Sequence, residues 1–389
     1  MNLDDSEDQA ALGDMVRSIC NDHCSTAVVR QMENDPFGYP TTLWRKFCDA
    51  GLTGTLIPEE QGGSAVSMLD NAAIHEQLGM ALAPTPVFVS SVISALALRK
   101  AATAELQNEL LPMLASGDVI VTPAWFEPGN GCSQSGVQMR FTTNVNGYCL
   151  QGTKRHVFFA AAADKLLVLA RGEEAEGGVD LFLVDRDAPG ISLVQESSMA
   201  SDTQYLVQFD QVRVAPEHRL SEQGSGWDIW DSVMSEAIIL DAAYAVGLAR
   251  RALDITVAYA GERTQFDKPL AAFQSISHYL ADGSTAVDGA RVLVYEAAWA
   301  HSQNKPFRTL AAMARLFACR TARDVTAQAQ QIHGGIGFTL DYDIQLFFRR
   351  AKQQQVNWWD ARYLEEIIAS AVLDNSEVVA VADPFLARA

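Results

Sequence analysis

The hydrophobic period of the chain changes twice, and that double switch limits the folds open to it. Up to about residue 118, stretches such as "SEDQAALGDMVRSICNDHC", "SMLDNAAIHEQLGMAL" and "TAELQNELLPMLASG" carry apolar residues at helical spacing, mostly separated by Gly or Pro. From about 119 to 217 short runs rich in Val, Phe and Leu take over, among them "KLLVLAR", "VDLFLVD" and "YLVQFDQVRV", with turn signals such as "NVNG", "EEAEGG" and "DAPG" between them. After about 226 the helical period returns in long stretches with stripes of Ala, Gly and Ser. The pattern predicts an α+β multidomain chain with a helical domain (1–118), an antiparallel β domain (119–225) and an antiparallel bundle of four or five helices (226–374). A poorly tied tail follows at 375–389.

Composition narrows function more than fold. The 389 residues are 48% hydrophobic, enough for a sizeable core. Twenty-nine Lys and Arg stand against 48 Asp and Glu, a net charge of -19, which argues against a nucleic-acid footprint or a polybasic membrane surface. An anionic ligand would have to be held by local cations and backbone N–H groups. Six cysteines form no CxxC pair and no zinc-like set with histidine, so neither a metal site nor a disulfide framework is expected. The first residues are acidic where a signal peptide would be basic, and no run of about 18 apolar residues is evident, so a cytoplasmic protein that does not span a membrane is expected.

One stretch runs against its own context. "QQIHGGIGFT", residues 330 to 339, follows a long helical segment, where each glycine costs about 1 kcal/mol relative to alanine. Two accounts fit it: a helix ending in a turn, or bare backbone kept free for a ligand.

Other motifs favour the second. "GERTQFDKPLAAFQSISHYLAD" (261–282) and "QIHGGIGFTLDYDIQLFFRRAK", together with "FEPGNGCSQSG", "GTKRHVFFAAAADKLLVLAR" and "VQFDQVRVAPEHRL" in the β part, resemble the acyl-CoA dehydrogenases over nearly the whole chain, and so does the order of domains. The resemblance implies FAD as cofactor and an acyl-CoA thioester as substrate. It implies that Gln331, Gly334 and Gly335 line the cofactor's pyrophosphate, with Arg263 as a fixed charge, Phe266 as an apolar wall and Gln274 as a nearby polar contact. In that family these residues act across a dimer interface, which implies an oligomer.

The chain departs from the family at the reactive end. Where the family sets two hydroxyl side chains beside the flavin ring, this sequence has Phe126 and Phe158, which cannot donate a hydrogen bond. Where most members carry a catalytic Glu after the Arg-Ala-Lys helix, it reads "RRAKQQQVNWWDARYLEE", with Trp358 and Trp359 at the turn and Asp360 just after. Asp360 is the first candidate for a base, against an alternative role as helix N-cap. Glu236, one residue before Ala237 at the other position the family uses, is the second, although one helical residue is about 100° of rotation. Cys132, in the loop where the family contacts the CoA arm, is by that resemblance a candidate substrate contact or else a small spacer. His333 and His156 are read as packing residues, and Arg349 and Arg350 as partners of carboxylates more than of phosphate.

An intact adenosine side with a lost base resembles the heteromeric acyl-CoA dehydrogenases of bacterial steroid catabolism, in which two related chains share one FAD site. That implies a related partner chain in a heterotetramer, with electron-transferring flavoprotein as the expected acceptor. A homotetramer using Asp360 and a catalytically silent scaffold are the other two readings.

Overall fold

The computed structural model of the chain describes residues 5–173, 178–200 and 202–374; the expected tail at 375–389 and most of the "EEAEGG" turn lie outside them. The first domain consists of α1 (Glu7–His23), α2 (Thr26–Met32), α3 (Thr41–Asp49), α4 (Met68–Met80), α5 (Ala95–Ala101) and α6 (Ala104–Ser116). Local chemistry sets several of the ends. Ser6 and Ser67 each form a capping box, with Gln9 and Asp70 respectively, and α6 stops at Gly117, whose φ of 73° suits glycine. Ahead of α5, Val87–Ser94 winds as a π-helix, a widened turn that the hydrophobic period alone does not reveal.

Seven strands follow: β1 (Val121–Ala124), β2 (Arg140–Asn144), β3 (Gly147–Phe158), β4 (Lys165–Gly172), β5 (Val179–Asp185), β6 (Ile191–Glu196) and β7 (Gln204–Val214). The order β1-β4-β2-β3-β7-β6, with β5 on β4, is antiparallel except at two places, where β1 and β2 both run parallel to β4. Both parallel pairings are reached by long connections, which short-range turn signals do not encode. The sheet has a core of its own around Phe141, Phe182 and Phe209, and its other face joins the core shared by the helical domains.

The bundle is built on α7 (Gly226–Glu262), with α8 (Gln274–Ser302), α9 (Arg308–His333), α10 (Ile344–Gln354) and α11 (Ala361–Leu373) around it. α7 is apolar enough over 18 residues to cross a membrane by composition, but 89% of that window is buried inside the protein. It meets α4 backbone to backbone. A Cβ on Gly79 would sit 2.0 Å from the Tyr244 carbonyl oxygen, and one on Gly247 would sit 1.8 Å from that of Glu76. This reciprocal glycine contact brings His75 on α4 and Asp241 and Tyr244 on α7 to one small cavity.

Candidate functional site

α9 ends at His333 because Gly334 takes φ 62° and ψ -137°, outside the range of ordinary side chains. A Cβ added to Gly334 or Gly335 would meet nothing within 4 Å, so these two glycines are not bare for the sake of internal packing. Gly337 is different, since Gln330 Oε1 lies 2.8 Å from where its Cβ would be. Arg263 leaves the end of α7 with its N–H on the Tyr259 carbonyl, and the Tyr259 ring stacks on His333 at 4.3 Å. The two motifs, some 70 residues apart in sequence, are thereby held at one end of the bundle.

Phe266 caps the tight turn between two short strands, Thr264–Gln265 and Lys268–Pro269, and faces Phe273 edge-on at 6.2 Å, directly before Gln274. Arg263, Phe266, Gln274, Gln331 and Gly335 are all exposed, Phe266 by 85%. Phe338 and Leu340 nearby in the chain are exposed by 74% and 73%. Open backbone, a guanidinium and an apolar rim suit the diphosphate and adenosine half of a dinucleotide. His333 belongs to the packing beneath, with Nδ1 2.8 Å from the Ala329 carbonyl oxygen.

In the β domain the Glu-Pro-Gly loop and the Gly-x-Lys strand are tied by one buried ion pair. Lys154 Nζ donates to Glu127 Oε1 at 2.6 Å, and Glu127 also accepts the backbone N–H groups of Gln138 and Met139. Burial pushes the Lys154 ammonium down to about 8, partly offset by Glu127. Next to this clasp lies a cavity of about 720 Å³, walled by Trp125, Phe126, Phe158 and Trp358 and rimmed by Arg155 and Lys352. Phe126 and Phe158 bring no hydrogen-bond donor to it. This side does not fit a flavin ring held by the pair of hydroxyls that the family uses.

The indole of Trp358 stacks on Phe158 at 5.2 Å and 24°, and meets Phe88 of the π-helix at 5.3 Å and 64°. Its φ of 57° is unusual for a bulky residue and costs roughly 1–3 kcal/mol, so the surroundings must hold it. Behind it lies the second cavity, about 80 Å³, lined by His75, Asp202, Asp241, Tyr244 and Arg350 among others.

The structure gives the two candidate bases other partners. Asp360 is the N-cap of α11, its Oδ1 accepting the Tyr363 N–H at 2.9 Å, and it lines neither cavity. Glu236 is buried between Lys100, 2.7 Å away, and His301, 3.2 Å away; these partners outweigh desolvation and hold its carboxyl below the usual range. Cys132, expected at the substrate, is buried instead, with Sγ donating to the Trp358 carbonyl at 3.2 Å, and burial pushes its thiol up to about 11. Arg349 reaches Glu33 Oε1 at 2.7 Å, and Arg350 donates to the Tyr244 hydroxyl at 2.9 Å. His156 Nδ1 lies 2.8 Å from Gln204 Oε1.

Three residues to which no sequence motif assigned a role matter to the packing around the site. His75, 2% exposed, hydrogen-bonds through Nδ1 to the Asn71 carbonyl and has no partner at Nε2. Asp241 and Arg315 form a fully buried pair at 2.5 Å between α7 and α9. Only the fold brings these together, although an Asp and an Arg in otherwise apolar helical stretches were visible as anomalies.

Residues 6–118, 123–212 and 224–358 match, in turn, the N-terminal, middle and C-terminal domains of acyl-CoA dehydrogenase. The acryloyl-CoA reductase (NADH) of Anaerotignum propionicum is 33% identical over 86% of this chain and 87% of its own length. Among solved structures, the ChsE4-ChsE5 complex from Mycobacterium tuberculosis superposes with a TM-score of 0.87 at 28% identity, covering 96% of this chain and 100% of that one. A variant of the Tcur3481-Tcur3483 steroid ACAD does so with 0.84 at 30% identity, covering 95% and 98%. The chain belongs to the acyl-CoA dehydrogenase family of FAD-dependent oxidoreductases.

Proposed function

We propose that this chain is the subunit of a heteromeric acyl-CoA dehydrogenase that supplies the adenosine-side wall of an FAD site completed by a related partner chain. In this reading Gly334 and Gly335 offer backbone N–H groups to the diphosphate and Arg263 supplies the charge. Phe266, Gln274 and Gln331 border the adenosine end. The partner supplies the ring pocket and the carboxylate that takes the α proton of an acyl-CoA; the FAD held between the two chains would supply the hydride-accepting chemistry. A steroid-derived acyl group is the substrate class this reading favours, in line with the steroid ACAD among its structural relatives. Electron-transferring flavoprotein is the acceptor it expects.

The observation that carries the proposal is a contrast within one protomer. The adenosine-side residues stand exposed on one end of the bundle, whereas the β-domain side presents Phe126 and Phe158, which carry no hydrogen-bond donor, and Asp360 is engaged as a helix cap. Co-expression with a related chain encoded beside it, followed by an absorption spectrum, tests the reading. A yellow, active complex is expected, and Arg263→Ala in it should lower flavin retention. A yellow chain that turns over acyl-CoA alone, and loses that activity on Asp360→Asn, would overturn it in favour of a homo-oligomer.

A further inference from the structure

We propose that Trp358 is a plug that divides this chain's own acyl-sized passage into two chambers and bars an acyl thioester from it. Trp358 lines both cavities and is the wall they share, together with Phe158 and Asn357. On its outer side lies about 720 Å³, on its inner side about 80 Å³, room for a few waters and not for a chain. Three rings from three elements close the gap. Phe88 comes from the π-helix, Phe158 from the end of β3, and Trp358 from the link between α10 and α11.

The plug is fastened by two ring contacts and at its backbone. The stack on Phe158 and the edge contact with Phe88 leave the indole 7% exposed, and the Cys132 thiol holds the Trp358 carbonyl. The inner chamber still has features of a ligand pocket. Leu78, Phe88 and Val89 line it, as does His75, whose buried Nε2 has no partner. Removing the indole would join the two spaces into a passage with an apolar wall and an unsatisfied polar group. The stack therefore determines which chain of an assembly receives the acyl group.

The proposal rests on the shared-site reading only in assigning turnover to the partner's pocket. Its test is a titration of the purified complex with octanoyl-CoA, counting bound equivalents for wild type, Trp358→Ala and Phe158→Ala. Wild type is expected to bind one equivalent per pair of chains, and either alanine variant two; Trp358→Phe, which keeps an aromatic ring, should stay at one. Two equivalents in wild type would overturn the plug. So would one equivalent in both alanine variants with helical circular dichroism and melting temperature preserved. If neither alanine variant folds, the wild-type count alone decides. If Arg263→Ala leaves flavin content untouched, the shared-site reading fails while the count of equivalents still judges the plug.

Discussion

Lys154 and His75 show how burial at single positions converts into measurable behaviour. Lys154 lies in the sheet interior with Glu127 as its anion, so Glu127→Gln leaves an ammonium without a counter-charge, and unfolding in urea should reveal a loss of about 3 kcal/mol. Replacing the lysine by methionine in the same chain should recover part of that loss. His75 is held neutral, with burial pushing it down to about 4 from an ordinary 6.5. The unfolded chain therefore binds the extra proton between pH 6.5 and 4 and the folded chain does not. Stability falls as the pH drops through that window, by about 3 kcal/mol across it. Denaturation midpoints at about pH 7 and about pH 4.5 should differ less in His75→Phe than in the parent. At this scale the sequence exposed residues whose roles are local: Asp360 as a cap, and glycines with no Cβ. It concealed Trp358, because a tryptophan looks the same whether it packs, stacks or blocks.

At the scale of elements, the helices and strands follow from period and caps, but their closest meetings do not. The α4–α7 crossing depends on Gly79 and Gly247, and Gly247→Ala places a methyl group on the Glu76 carbonyl. Overpacking against backbone should cost about 3 kcal/mol and enlarge the gap beside Tyr244. Gly335→Ala is the contrasting case, because nothing lies within 4 Å of its Cβ. Its melting temperature should match the parent while the flavin content of the complex falls. The Asp241–Arg315 pair pins α7 to α9 in the same core. Asp241→Ala should cost about 3–5 kcal/mol, and pairing it with Arg315→Met should cost less, since no buried guanidinium is then left alone. The alternation of apolar residues made the strands legible. The parallel pairings of β1 and β2 with β4 were not, because they join segments far apart along the chain.

For the whole molecule, the expectation concerns association. Phe266, Phe338 and Leu340 are large, apolar and open to solvent at the end of the bundle that carries Arg263 and the glycines. Phe266→Asp should leave the fold intact by circular dichroism while shifting the complex toward smaller species in size-exclusion chromatography. By itself the sequence determined the order of domains, the family and the break that the glycine motif makes after α9. These are written in hydrophobic period and in short motifs whose members act within a few residues of one another. Tertiary structure alone decided that Trp358 packs against both Phe88 and Phe158. The Phe88–Phe158–Trp358 cluster and the small cavity behind it join residues from across the chain, and whether such side chains meet is settled by packing, not by spacing along the backbone.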